Sequence, residues 1–279
     1  MNYSALIQNR KSTREFTDKE ITFSQLETIR NYYYNSVRRL VPEIRTELYC
    51  FGPGSGAALE GAAGYNQFLV GAPQYLVLLS EKHELAQINA GFVMQDLLLK
   101  LSDMDLDSCW ITFADSEDVK GVLGIDSHKD VVAIAAFGYG KKAVRRLRLN
   151  IRSMSNVDLV AKHRYMEPKR SVEDMAFLDT YIGFFGDALW EALYAATLSP
   201  SYLNRQAYGF LLQEGLVSLV SRPDHYNNKI DGDLSLGIVL LHFTAVAEEL
   251  VGKLNWRFGL DAESLDLPEG HKVIASCSL

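Results

Sequence analysis

Apolar residues fall along this chain in short continuous runs and in longer helical stripes, and the two kinds alternate. Gln74 to Ser80 encloses Tyr-Leu-Val-Leu-Leu between polar ends, which predicts a strand apolar on both faces. Thr46 to Phe51, Ser108 to Phe113, Val131 to Gly138 and Tyr208 to Gln213 carry further strand patterns. Helical stripes cover Phe23 to Leu40, Asn89 to Leu99, Val172 to Thr197 and Ser235 to Ala245. Helices alternating with strands, and few hairpin signals, predict an α+β fold of mixed sheets flanked by helices.

The pattern occurs twice. Asn89-Ala90-Gly91-Phe92-Val93 and Ser235-Leu236-Gly237-Ile238-Val239 each open a long apolar helix with a Gly followed two residues later by a Val. His128-Lys129 and His271-Lys272 each form a turn ahead of a β-branched strand. Arg10-Lys11-Ser12 and Lys169-Arg170-Ser171 make a weaker third pair. Three collinear pairs point to a duplicated domain. The halves are expected at residues 1–155 and 156–279, with the boundary in the basic stretch from Lys141 to Asn156, which includes Arg145, Arg146, Arg148 and Arg152.

Composition narrows the partners. The chain has 279 residues, 48% of them hydrophobic, and a net charge of −7. An acidic balance argues against nucleic acid, which selects basic faces. The N-terminus shows no secretory pattern, and the apolar run Leu234 to Ala247 is expected to be too short and too polar to span a bilayer. Cys50, Cys109 and Cys277 are scattered and odd in number, which fits a reducing cytoplasm rather than a disulfide framework.

Two polar clusters stand out against this framework. Arg10-Lys11-Ser12-Thr13-Arg14 gathers cations and hydroxyls ahead of the Phe23 helix. Guanidinium forks grip phosphate and serine adds a donor, so the cluster suits an anion, although a solvated charge run is the commoner fate of such a sequence. The second cluster is Ser199-Pro200-Ser201-Tyr202-Leu203-Asn204-Arg205-Gln206. Its Ser-Pro pair stops the preceding helix. That role explains the proline but not the two amides that follow, which suit a polar planar ligand.

Together the clusters resemble the nitroreductase family of FMN-dependent oxidoreductases. Arg10, Ser12 and Arg14 match the family's opening Arg-x-Ser-x-Arg/Lys signature, and Pro200, Ser201, Asn204 and Gln206 match its Pro-Ser-x-x-Asn-x-Gln segment. Gly71-Ala72-Pro73, Asn89-Ala90-Gly91, Asp107 to Ile111 and Phe137-Gly138-Tyr139-Gly140 follow in the family's order. The likeness covers most of residues 1–150 and, more thinly, 170–279. Family homodimers hold FMN at the subunit interface, with one signature from each subunit. The resemblance therefore implies a fused pseudo-dimer, expected to be a monomer.

Roles follow from the resemblance. Arg10 and Ser12 hold the FMN phosphate, and Lys11 lines the same region. Arg14 lies at the pyrimidine edge, where a fixed cation favours reduction. Pro200 and Ser201 pack on the isoalloxazine, while Asn204 and Gln206 bond ribityl or ring atoms. Backbone N–H groups around Ile111 and Thr112 approach N5 and O4. Arg145 or Arg148 completes the phosphate site, unless the basic stretch is a solvated linker. The implied reaction is ping-pong hydride transfer from NAD(P)H through the flavin to a nitroaromatic or quinone-like acceptor, with no catalytic side chain assigned. The alternative is a flavin- or ligand-binding protein on a duplicated nitroreductase fold.

Each half also departs from the family. Residues 36–42 read Ser-Val-Arg-Arg-Leu-Val-Pro where a second amide segment would fall. The second half keeps Arg170 and Ser171 but continues with Glu173 and Asp174, which would repel a phosphate. One flavin site per chain is the expectation. Gly52-Pro53-Gly54-Ser55-Gly56-Ala57 fits a dinucleotide fingerprint only loosely, given Pro53 and no evident helix start. The six histidines lack metal-ligand spacing, and Cys109 reads as a buried core thiol.

Overall fold

The computed structural model describes residues 1–66, 68–141, 145–153, 156–163, 169–178, 187–213, 215–259 and 267–278. The chain divides into two compact units, residues 10–167 with Met1 and residues 2–9 with 168–279. The first helix, α1 (Tyr3–Asn9), thus belongs to the second unit.

The first unit begins with α2 (Phe23–Asn35), held at its start by a capping box. Thr22 Oγ1 accepts from Gln25 N at 3.3 Å, and Gln25 Oε1 accepts from Thr22 N at 3.0 Å. The helix stops short of the expected Leu40. In α4 (Ala86–Asp103), Asp96 accepts from Arg38 N at 2.9 Å and Asn89 accepts from Val41 N at 3.0 Å. Those buried acceptors capture the backbone that a longer helix would use.

The four strands β1 (Thr46–Phe51), β2 (Gln74–Ser80), β3 (Asp107–Ile111) and β4 (Asp130–Gly138) form an antiparallel sheet in the order β1-β2-β4-β3. Every residue of β2 is buried, as its continuous apolar run predicts. Tyr75, Val77 and Leu79 pack with Leu59 from α3 (Ser55–Leu59) and Val119 from α5 (Ser116–Leu123). Leu76 and Leu78 point the other way, and α4 packs against β2, β3 and β4. Burying each such side chain contributes about 1.5–3 kcal/mol. The glycine-rich stretch does open a helix, but α3 has only five residues.

The basic stretch is not a linker. Its backbone forms β5 (Arg145–Ser153), paired antiparallel with β6 (Asn156–His163). The alternation of Leu147, Leu149 and Ile151 with polar residues accounts for a strand there.

The second unit corrects another expectation. The stretch from Val172 to Thr197 is not one helix: α6 (Val172–Met175) gives way to β7 (Ala176–Leu178), and α7 (Asp187–Thr197) follows. β7 runs parallel to β8 (Tyr208–Gln213), with Ala176 opposite Phe210. β8, β9 (Leu216–Ser221), β10 (Arg257–Phe258) and β11 (Lys272–Ser278) complete a sheet ordered β10-β11-β9-β8-β7. Between β9 and β10 runs α8 (Lys229–Val251), capped by Asn228, whose side chain accepts from Asp231 N at 2.9 Å. The run Leu234 to Ala247 lies inside α8, which at 23 residues is long and apolar enough to cross a membrane by length and composition alone but is mostly buried within the protein. Its buried stretch from Leu234 to Ala247 makes it the core helix of this unit.

The two units repeat one topology. In each, the first, second, fourth and third strands lie side by side, as β1-β2-β4-β3 and as β8-β9-β11-β10. A core helix, α4 or α8, joins the second strand to the third, and Gly91 and Gly237 are buried within them. The fold is a tandem pair of related α+β domains.

Candidate functional site

In the first unit, residues 12–17 lie as an irregular extra strand along the ends of β3 and β4. Ser12 bridges Ser108 in parallel, and Thr13 N donates to Ser108 O at 2.9 Å. Phe16 bridges Gly140, and Thr17 N donates to Tyr139 O at 2.8 Å. Asp107 clamps this arrangement. It accepts from Thr13 Oγ1 at 3.0 Å and from Gly140 N at 3.0 Å. A Cβ on Gly140 would come within 2.5 Å of the Asp107 carboxylate and 2.8 Å of Thr13 Cγ2, so only glycine permits the approach. Gly138 is equally confined, since a Cβ there would meet Pro73 Cγ at 2.6 Å.

The clamp fixes the segment that carries Arg10, Lys11, Ser12 and Arg14 against the start of β3. Arg10 Nη1 and Ser108 Oγ are both buried with no hydrogen-bond partner among the described residues. Burial, with Arg14 nearby, brings the Arg10 guanidinium down to about 10, so it remains cationic at neutral pH. Burial pushes the Cys109 thiol up, although Arg14 and Arg10 both act to lower it. A buried cation with a donor unmet among the described residues is a setting for an anionic oxygen. The residues present therefore fit a phosphate group.

Ile111 closes β3 opposite Ile134. Just beyond it, Thr112 O accepts from Gly64 N at 2.6 Å, and Phe113 bridges Ala63. The loop after α3 is thus fastened to the end of this strand. Arg145 and Arg148 sit in β5, opposite His163 and Val160, and their side chains lie outside what the structure describes.

In the second unit, residues 199–206 form a turn tied from several sides. Ser199 Oγ donates to Ala196 O at 2.5 Å, and Tyr202 N donates to Ser235 Oγ on α8 at 3.1 Å. Gln206 is buried and spends both ends of its amide within this unit. Its Nε2 donates to Thr197 O at 2.7 Å, and its Oε1 accepts from Arg170 N at 2.9 Å. Gln206 N donates to Ser201 Oγ at 3.0 Å. Beneath the turn, the Tyr208 hydroxyl is buried close to Gln206, Ser199 and Ser201 without hydrogen-bonding geometry to them, and burial pushes it to about 12. Leu203, Asn204 and Gln206 all adopt left-handed φ values of 48°, 56° and 46°. Such conformations cost energy in non-glycine residues and gather at ligand-binding turns. Pro200 and Ser201 are half-buried at the head of this strained turn.

Lys169 is a residue that sequence reasoning missed. Its Nζ donates to Ser199 O at 3.0 Å and to Asn204 Oδ1 at 2.7 Å, which sets a cation directly on the turn. The only signal was the Lys169-Arg170-Ser171 run, and that was matched to Arg10-Lys11-Ser12 as a repeat. Ser171 Oγ accepts from Asp174 N at 3.1 Å and so caps α6, leaving Glu173 exposed in its first turn. The acids that looked hostile to phosphate therefore have a helical reason to be there.

A family model described as "Putative TM nitroreductase" matches residues 2–247. No curated protein matches the chain. Among solved structures, a putative nitroreductase from Thermotoga maritima is similar with a TM-score of 0.62 at 18% identity, covering 100% of this chain and 94% of that one. A nitroreductase family protein from Clostridium difficile 630 is similar at 18% identity over 51% of this chain and 87% of its own, with a TM-score of 0.43. An FMN-dependent nitroreductase from Clostridium difficile R20291 is similar at 20% identity over 50% of this chain and 87% of its own, with a TM-score of 0.42.

Proposed function

The chain belongs to this nitroreductase family, and we propose that it is an FMN-dependent oxidoreductase passing hydride from NAD(P)H to a nitroaromatic or quinone-like acceptor. One observation supports the reading: a buried donor of Arg10 with no hydrogen-bond partner among the described residues, in the segment whose Ser12 bridges Ser108. Bound FMN would supply hydride acceptance and donation at N5.

The protein's own residues supply binding, orientation and charge. Arg10 and Ser12 hold the phosphate, with Lys11 at the rim. Arg14 keeps a fixed positive charge near the ring, which favours added electrons. Backbone N–H groups around Ile111 and Thr112 address the polar edge of the ring, and Gly64 braces that strand end. In the second unit, Pro200, Ser201 and Asn204 take flavin-binding roles from the family's Pro-Ser-x-x-Asn-x-Gln segment, and Lys169 holds the Asn204 side-chain oxygen. Gln206 serves to shape the turn, because its amide is already engaged. The acids at Glu173 and Asp174 keep the count at one flavin per chain.

The test is direct. Protein reconstituted with FMN should carry a yellow flavin spectrum at one flavin per chain and oxidise NAD(P)H when a quinone or nitroaromatic is added. A chain that stays colourless after FMN addition overturns the reading. Retained flavin with no turnover across an acceptor panel replaces it with a flavin-binding protein on the same fold.

A further inference from the structure

The helix α1 is too short to stand by itself. Seven residues give too little propagation to offset nucleation, so tertiary packing has to hold them. The sequence is built for that. Tyr3, Leu6 and Ile7 fall at i, i+3 and i+4 and are half-buried or buried, while Ala5, Gln8 and Asn9 are exposed. Ile7, at 2% exposure, goes deepest, and α1 packs against α7 and α8 of the second unit. Both ends are tied. At the start, Asn2 Oδ1 accepts from Ala5 N at 3.0 Å and Glu249 accepts from Tyr3 N at 3.4 Å. At the end, Asn9 Nδ2 donates to Ala5 O at 2.9 Å.

Arg10 follows directly, and with it the chain enters the first unit. Two residues on, Ser12 bridges Ser108, and Thr13 is fastened to Asp107 and to the Ser108 carbonyl. Arg10 and Lys11 are thus a two-residue span between an anchor in the second unit and an anchor in the first. So short a span has little slack. Arg10 Nη1 is buried with no hydrogen-bond partner among the described residues. A guanidinium whose backbone is fixed on both sides meets an anion without the ordering cost that a loose N-terminus would incur.

We propose that Ile7 is a positioning residue for the anion that Arg10 holds: by seating α1 in the second unit, it fixes the helix end from which Arg10 is presented. The inference rests on the reading of that anion as the FMN phosphate. FMN is titrated by flavin fluorescence into the full chain and its variants. Ile7→Ala is expected to weaken FMN binding about tenfold, through lost pre-organisation. In an Arg10→Ala background the same change should weaken it by less than about twofold, because the two side chains act through one contact. Inserting Gly-Gly between Asn9 and Arg10 keeps Ile7 in its seat and adds slack to the span. It should weaken FMN binding about tenfold with the thermal melt unchanged, so the test stands even where Ile7→Ala fails to fold. Equal losses from Ile7→Ala with and without the Arg10 side chain make α1 a structural element only and overturn the proposal. FMN binding indifferent to the insertion also overturns it. A parent chain that takes up no FMN overturns the flavin reading itself, and this inference with it, whereas failure of the variants alone leaves that reading in place.

Discussion

Residues 36–42 of the first unit and 199–206 of the second occupy the same place in the repeated topology, after the helix that precedes the first strand. The two share one backbone anchor to the core helix. Val41 N reaches Asn89, and Tyr202 N reaches Ser235, and both acceptors lie two residues before the buried glycine of their helix. Beyond that shared anchor the turns diverge. The first is drawn down by Asp96, which takes Arg38 N at 2.9 Å and the Tyr32 hydroxyl at 2.8 Å. The second is held in left-handed conformations by Gln206, Lys169 and Ser201. Duplication kept the hook, and the side chains around it decided which turn became a buried closure and which a strained left-handed turn.

The comparison breaks most sharply at the cation that should meet the flavin phosphate. Arg10→Ala is expected to weaken FMN binding about 100-fold, near 2.7 kcal/mol, as charged hydrogen bonds of about 1.5–3 kcal/mol are lost. Glu173→Ala should leave affinity and stoichiometry unchanged in the same fluorescence titration. Two flavins per chain after Glu173→Ala would show that the second half lacked only a charge.

Gln206→Leu should destabilise the second unit by about 2 kcal/mol in urea unfolding, because Arg170 N and Thr197 O lose their buried partner. Flavin binding should weaken with it, since the turn loses its shape. Gly140→Ala should cost about 1–3 kcal/mol by forcing Asp107 and Thr13 apart. It should also weaken flavin binding from the first unit's side, and an unchanged flavin titration would dismiss the clamp as a device for placing Arg10.

The shared hook can be tested by parity. Asn89→Ala and Ser235→Ala should each cost about 1 kcal/mol. Only Ser235→Ala should also perturb the flavin spectrum. The smallest effect concerns acid. In the first unit Lys129 Nζ bonds Glu47 at 2.6 Å. That hydrogen bond, against a burial penalty and with help from Ser127, holds the Glu47 carboxyl below its usual range. Stability from this pair is present above about pH 4.3, the unfolded value, and fades as pH falls through the lower folded value. Lys129→Met should flatten that part of the acid profile by lowering neutral-pH stability by about 1 kcal/mol or less, since Glu47 is partly exposed, and should leave stability at the acid end nearly unchanged.

Strands whose signal is local were legible in the sequence. Thr46–Phe51, Gln74–Ser80 and Tyr208–Gln213 have the bounds their apolar runs predict. β7 was not legible, because three residues continuing a helical stripe become a strand only by pairing with β8, whose register no local pattern reveals. The β5–β6 hairpin was hidden differently: its arginines drew attention to charge and away from the period-two alternation beneath. At the site, residue types could be read, but their loyalties could not. Nothing in the order of residues 199–206 tells that Gln206 faces inward, since Arg170 and Thr197 meet it only in the folded unit.

α1 carries a consequence for inheritance. Ile7 is buried and Tyr3 N reaches Glu249, so the helix is part of the second unit, yet Arg10 directly after it starts the first. The polypeptide passes from one unit to the other at residues 9–10 and again at 167–168. A gene severed at the second crossing would yield one fragment bearing a helix it cannot use and another lacking a piece of its core. Neither half is a module that recombination can lift out intact.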